Sequence, residues 1–299
     1  MIDNILSDAI LMTTPILLAA IGGLINRVGG IVNIGLESMM VAGALVALVV
    51  SAQSGSWLLA CLAAALAGAV VGGMMSLVIT RLHANEIVVG LGFNILVASL
   101  IRFMLKAAWK TAGTLSLPNV VMLPPIVIPG VDGIPVLGAI LSRHDPLTWL
   151  GWIATAATAW VLARTRFGLR LRAAGAAESA AAALGLKPLN IRDVSTMIAG
   201  AFAGLGGAQL AIGVVGLFNE GIVSGRGFIA LAAFYFGRNR PWPTAGATLL
   251  FGLFDAIQIR LQGEGMPSEL VQMLPYVTVI LALLSSALFT HRAPSEFRP

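Results

Sequence analysis

The chain has 299 residues, 58% of them hydrophobic and 10% charged, with a formal net charge of +5. A soluble globular protein carries roughly 25% charged residues, so this composition, with a mean hydropathy of +0.93, excludes a soluble enzyme, a disordered chain and a fibre. It fits an integral membrane protein, where basic residues mark cytoplasmic loops rather than a nucleic-acid surface.

A helix needs about 20 apolar residues to cross the hydrocarbon core. Taken in chain order, the candidate spans are 9–26, 31–51, 57–80, 87–107, 147–163, 194–217, 224–237, 242–261 and 271–289. The expected fold is therefore an all-α polytopic membrane bundle of about nine helices (eight to ten), forming one permease-like domain over 1–299. The first eight residues are polar and acidic, and the apolar stretch after them reads as a retained first span rather than a cleaved signal. Segment 110–146 carries Pro118, Pro124, Pro125, Pro129 and Pro135, so an external loop with at most one short helix is expected there. The seventh span is short enough to be a half-helix that enters the membrane and turns back.

Charge sets the orientation. With the N-terminus outside, the inner loops hold twelve of the eighteen basic residues, six of them between Arg164 and Arg192. Lys106, Lys110, Arg143 and Arg226 are left outside, and Arg102 and Arg260 fall within spans. The C-terminus is then cytoplasmic. Arg102, Lys106 and Lys110 recur every four residues, as snorkelling side chains or an anion-attracting mouth. Gly68-x-x-x-Gly72 and Gly200-x-x-x-Gly204 place small residues on one face of each helix, as close helix packing in lipid requires.

Much chemistry is missing. The single cysteine, Cys61, allows neither an internal disulfide nor a cysteine metal site. No phosphate loop is present, since Trp109 precedes the Lys110-Thr111 pair where glycine is needed. There is no H-E-x-x-H or G-x-S-x-G. Gly204-x-Gly206 is followed by Gln209 rather than glycine, so the dinucleotide fingerprint fails. No cofactor is implied, and energy for any transport comes from an ion gradient or another subunit.

A charge at the bilayer centre costs about 2.5–3.5 kcal/mol on insertion scales. Asn33 and Glu37 are four residues apart, hence on one face if helical. They follow Gly29-Gly30, a pair that can break the chain. Thr248, Asp255, Gln258 and Gln262 fall at helical spacings in the eighth span, and Asn94 and Gln209 are single polar groups in others. Asn33, Glu37, Asn94, Asp255 and Gln258 are therefore candidates for a translocation path. The alternatives are interhelical hydrogen bonds and, for Glu37, capping or pinning a helix end near Arg27.

Residues 176–184 are alanine-rich and helix-favouring. Glu178 lies near the start of this segment, where a carboxylate suits the helix dipole, and Gly185 can end it. The stretch TRFGLRLRAAGAAESAAAALG (165–185) resembles the cytoplasmic coupling loop of permease subunits of ABC importers. The family is the one that serves branched-chain amino acids, simple sugars and nucleosides. GGIVNIGLESMM (29–40) looks like its N-terminal motif, with Ser38 where glycine is commoner. NEIVVGLGFN (85–94) and GRGFIALAAFYFGRNRP (225–241) look most like its nucleoside-type members. The resemblance covers nearly the whole chain. It implies a non-catalytic subunit that pairs with a second, related permease as a heterodimer, with ATP-binding subunits, and with an external substrate-binding protein or lipoprotein. By this resemblance Ala177, Glu178, Ala181, Ala182 and Gly185 are the ATPase-coupling positions. The cargo class that the resemblance implies is nucleosides, with simple sugars or branched-chain amino acids as alternatives. A stand-alone ion-coupled carrier using Asp255 and Glu37 is a further alternative, and an intramembrane enzyme has no catalytic constellation to support it.

Overall fold

In the computed structural model, residues 2–127 and 142–263 are described, with side chains over 5–127 and 142–260. The expected ninth span, 271–289, the middle of the 110–146 loop and the Gln262 side chain lie outside the described residues. Among the described residues ten helices occur in chain order: α1 (Ile2–Val28), α2 (Leu36–Ser54), α3 (Trp57–Arg81), α4 (Glu86–Trp109), α5 (Pro146–Arg164), α6 (Arg166–Ala176), α7 (Glu178–Ala183), α8 (Pro188–Ala208), α9 (Arg226–Phe236) and α10 (Pro241–Gly263). Helix α8 continues as a π-helix, Gln209–Val215, which ends at Gly216 in the left-handed conformation. Among the described residues, six helical stretches are long and apolar enough to cross a membrane: Ile5–Val28, Leu36–Ser54, Trp57–Arg81, Glu86–Trp109, Pro146–Arg164 and Pro188–Val215.

Local chemistry sets the helix starts. Asn85 accepts from the N–H groups of Ile87 and Val88 and begins α4. Asp145 accepts from the Thr148 N–H at 2.9 Å, with Pro146 in the first turn of α5 where a missing N–H costs nothing. Helix α1 is apolar on every face, and Ile16 to Ile21 are almost wholly buried. Such a helix belongs at the centre of a bundle, and α1 packs against α5, α8, α9 and α10. Thr13 and Thr14 turn their hydroxyls back to the carbonyls of Ala9 and Ile10, and Thr14 also meets Thr148 on α5 at 2.9 Å. By contrast α3 and α4 expose Leu62, Leu66, Met74, Ile95, Leu100 and Phe103, a surface suited to lipid.

The two small-residue motifs find each other. Gly68 and Gly72 on α3 face Gly200, Gly204 and Thr196 on α8, and a Cβ at Gly72 would stand 2.6 Å from the Thr196 carbonyl oxygen. The motifs thus join two helices of one chain by backbone-to-backbone contact, where dispersion replaces the absent hydrophobic drive.

Three expectations are corrected. The span drawn from residue 31 begins at Leu36, because 31–35 is not helical. Asn33 and Glu37 therefore do not share a helix face. The basic loop holds two helices, α6 and α7, broken at Ala177 (φ −154°, ψ 98°), and α8 starts at Pro188, earlier than 194. The described residues otherwise form the expected α-helical bundle, with one short antiparallel pair, Thr114–Leu115 against Phe218–Asn219.

Candidate functional site

Two constellations gather the sequence candidates. The first forms around the break between α1 and α2. Gly30 has φ +92°, and a Cβ there would meet the Gly175 Cα at 2.9 Å, so glycine is required both by conformation and by the close pass of α6. The chain then runs non-helically to Gly35 with its polar groups held by other helices. Asn94 on α4 clamps it: its Oδ1 accepts from the Ser38 N–H at 3.0 Å and its Nδ2 donates to the Ile34 carbonyl at 3.1 Å. Ser38 Oγ donates to the Gly35 carbonyl at 2.6 Å. Irregular backbone at membrane depth survives only where protein satisfies it in this way. Asn33 is fully buried. Its Nδ2 reaches only the Met39 sulfur, at 3.7 Å, and its Oδ1 has no partner.

Glu37, in the first turn of α2, caps a different helix. Its Oε1 accepts from the Gly225 N–H at 2.9 Å and its Oε2 from the Gly227 N–H at 2.8 Å. These are free donors of the first turn of α9, where a carboxylate is favoured by hydrogen bonding and by the dipole. Gly225 adopts φ +81°, and a Cβ at Gly227 would lie 2.5 Å from the Glu37 nitrogen. Only glycine lets the two helix starts approach so closely. The capping expected near Arg27 thus occurs at a helix 188 residues away.

Arg226 completes this hub. The charge count expected it on the outer side, unpaired; it stands at the start of α9, paired with Asp255 of α10. Its Nε and Nη2 donate to Asp255 Oδ2 at 3.1 and 3.0 Å. The side chains are 17% and 7% exposed, so the pair is largely desolvated. Arg226 Nη1 also donates to the carbonyl of Val223 at 3.3 Å. Helix α9 has 11 residues, a rise of about 16 Å, and α10 returns antiparallel to bring Asp255 level with Arg226. The expected polar stripe on α10 is divided: Thr248 is buried and satisfied by the Ala245 carbonyl, Asp255 is in the ion pair, and Gln258 is half-buried one turn on, with no side-chain hydrogen bond among the described residues.

Other polar side chains lock the bundle outside the hub. Gln209 Nε2 donates to Asp145 Oδ2 at 2.5 Å. Asp193 accepts from Ser76 and Thr80, both at 2.7 Å, and from Arg81 at 2.9 Å, which ties α8 to the end of α3. Arg102 does not simply snorkel: it pairs with Glu220 at 2.8 Å.

The second constellation is α7 and its supports. Ala177 is the residue before the helix and its carbonyl accepts from the Ala181 N–H at 3.0 Å. Ala181 is buried, whereas Ala182 and the flanking Leu184 are exposed. Gly185 ends the turn with φ +80°. Glu178 forms an ion pair with Arg192 of α8. Arg192 is the residue that sequence reasoning missed: its Nε also donates to the Gly29 carbonyl at 3.2 Å. One guanidinium thereby ties α7 and α8 to the α1–α2 break. Its basic neighbours gave no signal that would single it out.

Among the described residues no cluster of three or more His, Cys, Asp or Glu side chains could hold a metal ion.

Comparison with known proteins gives this architecture a family. The family model described as branched-chain amino acid transport system / permease component matches residues 5–283. The nucleoside ABC transporter permease protein NupC of Lactococcus lactis is 33% identical, over 97% of this chain and 93% of its own length. The guanosine ABC transporter permease protein NupQ of Bacillus subtilis is 33% identical, over 93% of this chain and 90% of its own. The glucose ABC transporter permease protein TsgB13 of Haloferax volcanii is 29% identical, over 95% of this chain and 77% of its own. No solved structure matches. With its apolar spanning helices and a family match over nearly its whole length, the chain is a multi-pass integral membrane protein that belongs to the branched-chain amino acid transport system permease family.

Proposed function

We propose that the chain is the non-catalytic permease subunit of an ATP-driven importer of nucleosides. The observation that carries this reading is the end-to-end similarity to two permeases named for nucleoside and guanosine transport. ATP is hydrolysed on separate ATP-binding subunits, an external binding protein delivers the solute, and a second, related permease completes the path as a heterodimer. The chain forms one permease domain in the inner membrane. With the six long helices, α9, α10 and 271–289 make nine crossings, and eight if α9 instead re-enters as a half-helix. The N-terminus and 110–146 are external, and 164–193 and the C-terminus are cytoplasmic, in keeping with the asymmetry of basic residues.

In this reading α7, through Ala177, Glu178, Ala181, Ala182 and Gly185, is the element that the ATPase grips. ATP binding can drive transport only through contacts that differ between two states of the complex. Displacement of α7 acts on Arg192, and through the Gly29 carbonyl on the 31–35 segment. That segment carries Asn33 and leads into Glu37, which holds the start of α9. Asn33, Glu37, Asn94, Asp255 and Gln258 line or shape the path. The unpartnered Asn33 Oδ1 and the free Gln258 amide are the groups available for a hydroxyl-rich solute.

Uptake by the reconstituted complex, with a panel of labelled nucleosides, glucose and leucine, tests the proposal. ATP-dependent uptake of nucleosides, competed by unlabelled guanosine and not by glucose, is expected. Uptake of glucose alone would favour the second reading, which the similarity to the Haloferax glucose permease supports. Uptake that follows an ion gradient and ignores ATP would overturn both.

A further inference from the structure

At the end of the bundle that carries α6 lies a cavity of about 620 Å³ away from both constellations. Three arginines line it: Arg172 of α6, and Arg238 and Arg240 from the turn between α9 and α10. None of the three has a carboxylate partner among the described residues. Arg238 and Asn239 both hold left-handed backbone, φ +50° and +56°, in the tight turn that brings this segment to the cavity. The cavity also adjoins the first turn of α10, where the helix dipole adds positive potential. The carboxamide oxygen of Asn239, another lining residue, is buried without a partner.

The remaining walls are apolar. Trp242, more than half exposed, and Pro243 stand on one side, with Ala163 and Leu162 of α5 on the other. Leu162 is also a wall of a second cavity, of about 290 Å³, which runs along α5 toward the bundle centre between Ile25, Ala154, Ala157 and Phe202. A cationic chamber at the membrane edge thus opens beside an apolar one one to two helical turns deeper. Unpaired arginines facing water alone need no such apolar slot, and a carboxylate-bearing protein partner would not fill it. A lipid has both parts, and basic pockets between helix ends are suited to anionic headgroups.

We propose that this pair of cavities binds one anionic phospholipid. Its phosphate is held by Arg172, Arg238 and Arg240, a headgroup hydroxyl donates to Asn239, and an acyl chain lies along α5 past Leu162. The lipid would brace the turn that joins the α9 half-helix to α10. The inference needs only the membrane setting and is independent of the cargo.

The test is native mass spectrometry of the full chain purified with equal amounts of phosphatidylglycerol and phosphatidylcholine. The wild type should retain phosphatidylglycerol in preference. The triple variant R172Q/R238Q/R240Q should lose this preference by about fivefold for each arginine removed. The variant R166Q/R170Q, which changes exposed arginines outside the cavity, should keep it. Equal retention of the two lipids by the wild type overturns the proposal, and this arm stands whether or not the triple variant folds. So does an equal loss in R166Q/R170Q, which would mean diffuse charge. Thermal stabilisation by inorganic phosphate as large as that by phosphatidylglycerol assigns the site to a free anion, and a triple variant that keeps lipid preference but fails to hold the ATPase assigns it to a protein partner. Either result overturns the lipid site.

Discussion

The hub of Glu37, Arg226 and Asp255 and the α7 segment both rest on an arginine–carboxylate pair, yet the pairs belong to different physical regimes. Arg226 and Asp255 are 17% and 7% exposed, whereas Glu178 is 46% exposed beside Arg192 at 19%. A buried pair whose partner is removed leaves a charge in a medium that cannot solvate it, at a cost of about 3–5 kcal/mol. An exposed pair is screened by water and contributes about 0–1 kcal/mol. The hub is therefore expected to matter for the fold of the isolated chain. The α7 pair is expected to matter only when another protein pulls on it.

The comparison can be broken most directly at Asp255. Asp255→Ala should destabilise the purified chain by about 3–5 kcal/mol, read as resistance to thermal unfolding in detergent. The double variant R226M/D255L should recover most of that loss, since an apolar pair of similar volume leaves no orphan charge. If the single variant is as stable as wild type, the ion pair is not desolvated and the contrast fails. Gly227→Ala comes next. Its Cβ has no room against the backbone of Glu37, and a loss of about 1–3 kcal/mol is expected by the same measurement. Glu37→Ala should cost about 0.5–2 kcal/mol as a lost cap, with Glu37→Gln milder because one acceptor oxygen remains. Smallest in stability is Glu178→Ala, at about 0–1 kcal/mol. Its expected signature lies in the assembled complex, where uptake per ATP hydrolysed should fall while thermal unfolding of the chain is unchanged.

The long apolar spans were legible because helix-length hydropathy is a local property: 57–80 and 87–107 became Trp57–Arg81 and Glu86–Trp109. The helix break at 31–35 was not, although Gly29-Gly30 marked its start. Ile31 and Val32 read as membrane helix, and the bonds that hold this segment out of a helix, among them the Asn94 clamp, come from residues distant in sequence. The glycine motifs were legible on each helix, but not that they face each other, since spacing names a face and not its partner. The pairing of Arg226 was not legible, because counting charges says which side a cation lies on and not which group it meets. Its partner lies 29 residues on, across a hairpin of two helices. Arg192 was hidden among six basic residues of one segment, and only its distance to the Gly29 carbonyl distinguishes it.

The central claim is that this chain converts ATP hydrolysis elsewhere into solute movement through α7. Ala181→Pro tests it, because the substitution removes the N–H that bonds the Ala177 carbonyl and clashes with the preceding turn, breaking a helix that lies outside the spans. ATP hydrolysis and labelled guanosine uptake should be measured together in the reconstituted complex. The account predicts a variant that inserts, still assembles its spans, and takes up less than about a tenth of the wild-type nucleoside per ATP hydrolysed. A variant with wild-type uptake per ATP would contradict it.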